Sequence, residues 1–324
     1  MAFLRDDYGR TLNYVRISVT DRCNFRCTYC MPPSGVECIS HSEILRYEEI
    51  SRLCAAFWNL GVRKFRFTGG EPLVRKGMVP FLRGLKGEFP EMKIALTTNA
   101  SLLEPYVFEL HDMGIHSLNI SLDTLDREKF ASITRVGNID TVISGIRSAV
   151  SAGISNIKLN TVLIRGFNDT EICDLLEFAG NEKIMLRLIE FMPLEDSVWN
   201  KDAFISGSEI LKMLPGGDSW EAEKSGRPED GPAQYYRNAE TGASIGIITA
   251  VSNHFCRHCN RLRVSASGNL RTCLFSPTEI ALRDYIAKDD IGELENKITE
   301  SVKSKPKCWN DIRTGKLHMS GIGG

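Results

Sequence analysis

The chain has 324 residues, 42% of them hydrophobic and 25% charged, which is enough apolar material for one large domain or a domain with a smaller appendage. A net charge of −1 leaves no global basic field for nucleic acid or an anionic membrane surface, so a polyanion would have to be met in a local pocket. The first residues lack the charged-then-apolar layout of a signal peptide and no later run approaches a membrane span, so the expected location is the cytoplasm.

Residues 14–20, 62–70, 93–100, 117–123, 157–166 and 184–193 read as strands, and 43–60, 127–135, 139–152 and 169–179 carry apolar residues at helical spacing. That alternation predicts an α/β fold of about six units around a parallel sheet, two short of a closed eight-fold barrel. A doubly wound sheet and an open, incomplete barrel both satisfy the pattern, and either places ligands at the carboxyl ends of the strands. Residues 215–233, rich in Gly, Pro and charge, read as an exposed loop or linker, and a domain change is expected there, dividing the chain into 1–215 and 216–324. Beyond it, 244–252 and 261–275 look like strands, the second with a turn at Ser267-Gly268-Asn269, which suggests a small antiparallel C-terminal unit.

Ten cysteines in a large chain of this kind point to metal binding or catalysis rather than to disulfides. Cys23, Cys27 and Cys30 form C-x3-C-x2-C directly after the first strand. Three thiolates hold three irons of a four-iron cluster and leave the fourth open, as a cluster that binds a substrate needs. A structural zinc site would want four ligands, and the nearest histidine, His41, fits poorly. After the second strand stands Thr68-Gly69-Gly70-Glu71-Pro72, whose glycines allow close backbone approach where a Cβ would meet ligand.

These two motifs, with Tyr29 before the last cysteine, resemble those of the radical S-adenosylmethionine (SAM) superfamily. The resemblance implies that the open iron binds the amino and carboxylate groups of SAM, that the glycine-rich strand end meets its methionyl amine and that Tyr29 lies against its adenine.

Cys256, Cys259 and Cys273 give a second triplet, C-x2-C-x13-C. Another cluster with an open iron is one reading, and a zinc site completed by His254, His258 or Cys308 is the other. Cys38, Cys54, Cys173 and Cys308 lie outside both triplets and are expected to pack in apolar surroundings. Arg16, Lys64, Arg66, Lys158 and Arg187 stand on strands where barrel interiors are normally apolar, and five cations converging on one mouth suit a ligand with several negative charges, such as a triphosphate. Arg261 and Arg263 alternate around Leu262, so their side chains share a face.

The second triplet, the 261–263 segment and the terminal Gly323-Gly324 make the chain similar to the molybdenum-cofactor GTP 3′,8-cyclases, the MoaA family. That resemblance implies an incomplete six-stranded (β/α)6 barrel with a small C-terminal antiparallel cluster-binding unit, two [4Fe-4S] clusters on the six cysteines, and SAM as cofactor. It assigns Tyr29, Gly70, Ser121 and Met192 to SAM, and Arg16, Arg66, Thr97, Lys158, Arg261, Leu262 and Arg263 to GTP. It places Gly323 and Gly324 in the active site. The implied reaction is radical abstraction of the ribose H3′ of GTP followed by closure onto guanine C8, giving 3′,8-cyclo-7,8-dihydroguanosine 5′-triphosphate. It implies an electron donor, a downstream cyclic pyranopterin monophosphate synthase and, as an open question, a homodimer, with no nucleic acid or membrane partner. A radical SAM peptide maturase and a zinc-stabilised nucleotide-binding protein stay open as alternatives.

Overall fold

A computed structural model describes residues 3–193, 200–223, 231–288 and 290–308. Six strands follow one another in the first part of the chain: β1 (Tyr14–Ser18), β2 (Lys64–Thr68), β3 (Lys93–Thr98), β4 (Ser117–Ser121), β5 (Ile157–Leu163) and β6 (Met185–Glu190). Between them run α1 (Tyr47–Asn59), α2 (Met78–Glu88), α3 (Val107–Asp112), α4 (Arg127–Thr134), α5 (Ile139–Ser151) and α6 (Ile172–Asn181). The second part adds α7 (Gly207–Met213), β7 (Trp220–Ala222), β8 (Gln234–Asn238), β9 (Ser244–Ile248), β10 (Arg261–Val264), β11 (Asn269–Arg271), β12 (Ile280–Ala281), α8 (Arg283–Ala287) and α9 (Ile291–Ser301).

All of these strands join one sheet in the order β12-β11-β10-β1-β2-β3-β4-β5-β6-β9-β8-β7. β1 to β6 lie side by side in chain order and in parallel, with no reversal of direction along the sheet. Single winding of this kind belongs to β/α barrel-type sheets, because a doubly wound sheet changes direction at a switch point. The later strands do not stand apart. β9 continues the parallel run beside β6, β10 continues it beside β1, and the antiparallel pairs sit outside them at the two edges. The turn expected at Ser267-Gly268-Asn269 joins β10 to β11, with Gly268 at φ +88°.

Strand periodicity gives the sheet two different faces. Val15, Ile17, Phe65, Phe67, Ile94, Leu96, Leu118, Ile120, Leu159, Leu186, Leu188, Leu262 and Val264 all belong to the apolar core. α1 supplies Ile50, Leu53 and Phe57 to that core, and α5 supplies Val142 and Ile146. Alternate positions of the same strands, among them Arg16, Arg66, Thr97, Asn119, Lys158 and Arg187, are polar and line a pocket. β2 illustrates the rule: KFRFT is buried throughout, Phe65 and Phe67 in the core and Lys64, Arg66 and Thr68 on the pocket side.

Helix starts are fixed locally by side-chain oxygens that accept otherwise unpaired amides. Asp126 accepts from Lys129 N at 2.8 Å at the head of α4, and Asn138 accepts from Asp140 N at 2.9 Å at the head of α5. Ser206 and Glu209 form a reciprocal capping box on α7. α9, not foreseen from the pattern, covers α1, with Asn59 Nδ2 donating to Glu295 Oε1 at 2.8 Å.

Candidate functional site

The loop after β1 carries the first triplet, and its backbone is held from several sides. Arg26 N and Thr28 N donate to the carbonyls of Thr134 and Ile133 at the end of α4, at 3.1 and 2.9 Å. Arg135 Nη1 donates to the carbonyls of Arg26 and Met31 at 2.8 and 2.9 Å. Cys23, Cys27 and Cys30 are free thiols, partly buried, all lining the pocket. Burial raises the Cys23 thiol to about 11 and the Cys30 thiol to about 12, the latter with help from Cys23 and Asp123. A metal bound here would displace their protons, since a thiol ligates as the thiolate.

The glycines after β2 have a cause the sequence could not reveal. A Cβ on Gly70 would lie 2.3 Å from the Arg22 carbonyl oxygen, and one on Gly69 would lie 2.5 Å from that of Thr20. The colliding atoms are therefore the backbone leading into Cys23, not a ligand alone as expected above. Gly70 N and Glu71 N donate to those same two carbonyls, each at 2.8 Å, so the glycine motif is bolted to the cysteine loop. Glu71 is buried and accepts from Leu73 N, Thr98 Oγ1 and Asn99 N at 3.1, 2.8 and 2.7 Å, which joins the ends of β2 and β3. Burial outweighs these bonds and raises its carboxyl to about 7. Tyr29 donates its hydroxyl to Asp123 Oδ2 at 2.6 Å, and Asp123 Oδ1 accepts from Val162 N at 2.8 Å. Burial raises the Asp123 carboxyl to about 6.

The second triplet lies at the other end of the same strands. Cys256 and Cys259 precede β10, which runs parallel to β1, while Cys23 follows β1. Cys273 follows β11, whose antiparallel pairing with β10 returns it to the start of β10. Both triplets line one pocket, beyond the two ends of a five-residue strand that is itself about 16 Å long. Burial raises the Cys259 thiol, but Arg261, Lys305 and hydrogen bonds from Arg261 outweigh it and bring it down to about 6.

Between the triplets the pocket wall is cationic. In register across β10, β1 and β2 stand Arg263, Arg16 and Arg66, and one step earlier stand Arg261, Tyr14 and Lys64. Burial and then Arg263 disfavour the Arg16 charge, and Arg16 Nε is buried with no hydrogen-bond partner among the described residues. Arg66 is committed to the protein: Nε donates to Tyr14 Oη at 2.7 Å, Nη1 to the Leu96 carbonyl at 2.9 Å, and Nη2 to Ser117 Oγ at 3.0 Å. Arg187 Nε and Nη2 both donate to Asn160 Oδ1, at 2.9 and 2.7 Å. Tyr14 was missed by the sequence reading, although it shares a strand face with Arg16. Burial raises its phenol, but Arg66, Arg16, Lys64 and Arg261 together lower it to about 7.

The Radical SAM superfamily profile matches residues 17–179, and the Molybdenum Cofactor Synthesis C profile matches residues 184–310. Over 99% of its length the chain is 43% identical to the GTP 3′,8-cyclase of Peptoclostridium acidaminophilum, covering 98% of that protein. It is 42% identical to the GTP 3′,8-cyclase of Pelotomaculum thermopropionicum, over 99% of this chain and 100% of that one. The chain belongs to the GTP 3′,8-cyclase family. Among solved structures, SuiB of Streptococcus suis bound to S-adenosylmethionine resembles it with a TM-score of 0.63 at 15% identity, covering 94% of this chain and 70% of that one, a likeness of fold.

Membership of the radical SAM superfamily brings SAM and an iron–sulfur cluster to the cyclase fold, and the first triplet suits them. Its three soft donors are free, share one cavity wall and face a strand end whose glycines bring backbone close. Tyr29, Gly70, Ser121, Met192, Arg16, Arg66, Thr97, Lys158, Arg261 and Arg263 all line the same pocket. Leu262 does not: its side chain is fully buried in the core on the opposite face, so only its main chain is available to the pocket. Gly323 and Gly324 lie outside the described residues. Of the cysteines outside the triplets, Cys54 is buried as expected, whereas Cys38 and Cys173 are exposed on the surface. His254 lines the pocket and His258 is exposed. Among the described residues no three His, Cys, Asp or Glu side chains gather closely enough to hold a single metal ion. No helix among them is long and apolar enough to cross a membrane.

Proposed function

We infer that this protein converts GTP to 3′,8-cyclo-7,8-dihydroguanosine 5′-triphosphate in molybdenum-cofactor biosynthesis. The observation that carries this reading is one cationic pocket walled at its two ends by cysteine triplets, in a chain related to GTP 3′,8-cyclases from end to end. When bound at Cys23, Cys27 and Cys30, the cluster and SAM supply the radical that removes a hydrogen atom from the ribose. The second triplet, Cys256, Cys259 and Cys273, holds a second [4Fe-4S] cluster in this reading, and residues 1–215 and 216–324 divide the two cluster duties.

The chain's own residues place the substrate. Arg16 and Arg263 present guanidinium groups to a triphosphate, joined by Lys158 and Arg261, and the anion relieves their mutual repulsion. Arg66 acts from behind, holding Tyr14, the end of β3 and Ser117 in a fixed frame. Tyr29, oriented by Asp123, faces the SAM side together with Gly70, Ser121 and Met192. Sugar near one triplet and base near the other is a matter of placement, which is where an enzyme of this kind gains rate. An electron donor feeds the reaction, a cyclic pyranopterin monophosphate synthase takes the product, and the protein works in the cytoplasm.

The test is anaerobic reconstitution with iron and sulfide, followed by incubation with GTP, SAM and a reductant and mass spectrometry of the product. The reading requires a cyclised nucleotide of unchanged triphosphate content, with 5′-deoxyadenosine and methionine formed alongside it. SAM cleavage that GTP neither stimulates nor couples to a nucleotide product would overturn it.

A further inference from the structure

Lys305 follows α9 in a basic stretch, KSKPK, at residues 303–307. The structure buries it, at 3% exposure. Its Nζ donates to the Thr272 carbonyl at 2.5 Å, to the Arg261 carbonyl at 2.9 Å and to Cys259 Sγ at 3.6 Å. Three acceptors demand three N–H groups, which only the ammonium form of lysine has. A buried ammonium needs a nearby negative charge. No carboxylate pairs with Lys305 among the described residues, and the sulfur its ammonium meets is that of Cys259.

The segment bearing Lys305 is itself pinned. Arg10 Nη2 donates to the Pro306 carbonyl at 2.6 Å, and Nη1 donates to the carbonyls of Lys307 and Cys256 at 3.2 and 2.8 Å. The Arg10 guanidinium is in turn paired with the buried Asp6 carboxylate at 2.5 Å. One arginine thus ties the N-terminal arm, the Cys256 turn and the Lys305 segment together. Lys305 then touches the two stretches that carry Cys259 and Cys273.

We propose that Lys305 is a positioning residue for the second cysteine triplet: its ammonium is the fixed counter-charge that assembles the three thiolates and raises the reduction potential of the cluster they hold. This deepens the two-cluster reading and rests on it. The electrostatics are direct. A thiolate-bound cluster is anionic and gains a further negative charge on one-electron reduction, so a cation in hydrogen-bond contact with a ligand sulfur favours the reduced form. Arg261 and Arg263 add positive charge on the substrate side, whereas Lys305 acts from the protein side, where its three bonds hold it whether or not substrate is bound.

The experiment uses the full-length chain with Cys23, Cys27 and Cys30 all replaced by Ala, so that only the second triplet can hold a cluster. Anaerobic reconstitution, iron and sulfide analysis and a dithionite titration followed by electron paramagnetic resonance give cluster content and midpoint potential. In that background, Lys305→Met is expected to lower the ratio of reduced to oxidised cluster at a fixed potential by tenfold or more, equivalent to a negative shift of about 59 mV for a one-electron couple. Lys305→Arg, which keeps the charge, should stay near the parent. Loss of the cluster in Lys305→Met but not in Lys305→Arg would also support the counter-charge. An unchanged potential in Lys305→Met overturns the proposal, as does equal loss of the cluster in both variants, which would reduce Lys305 to a tie between carbonyls. A parent that binds no iron and sulfide would overturn the two-cluster reading itself.

Discussion

Arg16 on β1 and Arg263 on β10 stand directly opposite one another in a parallel strand pair, and both line the pocket. Like charges facing each other on one sheet face destabilise it, and here burial adds to the repulsion. The pair makes sense when an anion lies between the two guanidinium groups. Arg263→Met should therefore have opposite effects on two measurements. The apoprotein's thermal stability should hold or rise, while affinity for GTP, measured by calorimetry, should fall by about one to two powers of ten, the worth of a charge-assisted contact. Guanosine, lacking the phosphates, should bind much more weakly than GTP to the parent enzyme. Equal affinity for the two would remove the phosphate from the argument.

Tyr14 carries a pH dependence whose sign follows from its surroundings. Its phenol titrates near 7 in the folded protein against 10.0 unperturbed, because four cations outweigh its burial. A lowered acid contributes stability that is complete above the unfolded value and is lost as pH falls through the folded one. The stability difference between the parent and Tyr14→Phe should thus be flat below pH 7 and grow from pH 7 to 10, by about 4 kcal/mol in total. Denaturant unfolding of the apoprotein at a series of pH values measures it. Saturating GTP should move the onset to higher pH by neutralising the cations, and a difference that does not change with pH would refute the assignment.

What could be read from the chain differs by the kind of signal. The six leading strands and both cysteine triplets were legible because each is written in contiguous residues: alternation within a strand, fixed spacing within a triplet. The placement of β9 and β10 was not, since nothing in 244–252 or 261–275 states which edge strand it will join. For the same reason the triplets could be found but not located at opposite ends of β1, a fact that depends on β10 running parallel to it. Leu262 was taken with its neighbours as a block, although strand alternation sends it to the core. Lys305 was invisible because a surface run and a buried counter-charge look alike until the segment after α9 is pinned by Arg10.

Gly70 couples the glycine motif to the first triplet through space, which separates a backbone role from a ligand role. Gly70→Ala forces a Cβ to within 2.3 Å of the Arg22 carbonyl, next to Cys23, so the loop must shift. The expected result is a loss of about 1–3 kcal/mol in stability even without any ligand, together with poor retention of the first cluster. Melting of the apoprotein and iron content after reconstitution report the two effects. A variant with parental stability that merely binds SAM less well would restore the simpler view of Gly70 as a ligand contact.

The two triplets should also fail differently. Cys27→Ala is expected to abolish SAM cleavage, because that loop is the one fastened to the glycine motif and, through Tyr29, to Asp123. Cys259→Ala, at the far end of the strands beside Arg261, should chiefly impair GTP turnover and leave part of the uncoupled SAM cleavage intact. Formation of 5′-deoxyadenosine with and without GTP distinguishes them. Complete loss of SAM cleavage in Cys259→Ala while the first cluster stays assembled would contradict the division.

The tail ends in Gly321-Ile322-Gly323-Gly324, beyond the described residues, and its composition alone would suit a frayed terminus. What argues otherwise is the segment before it. Pro306 and Lys307 are bonded to Arg10, which also bonds Cys256, and Lys305 lies against Cys259 and lines the pocket, so the segment that leads to the sixteen residues 309–324 is fixed beside the second triplet. An extended chain of that length spans about 55 Å, ample to enter the pocket. Glycines would let the backbone pass close to ligands. Deleting Gly323 and Gly324 should accordingly leave folding, iron content and GTP affinity close to parental while cutting cyclisation by on the order of a hundredfold, the cost of about 1 Å of misplacement at the reacting atoms. A C-terminal affinity tag should act in the same direction. Product formation at the full-length rate by the truncated enzyme, measured beside uncoupled SAM cleavage, would show that the two glycines do no positioning.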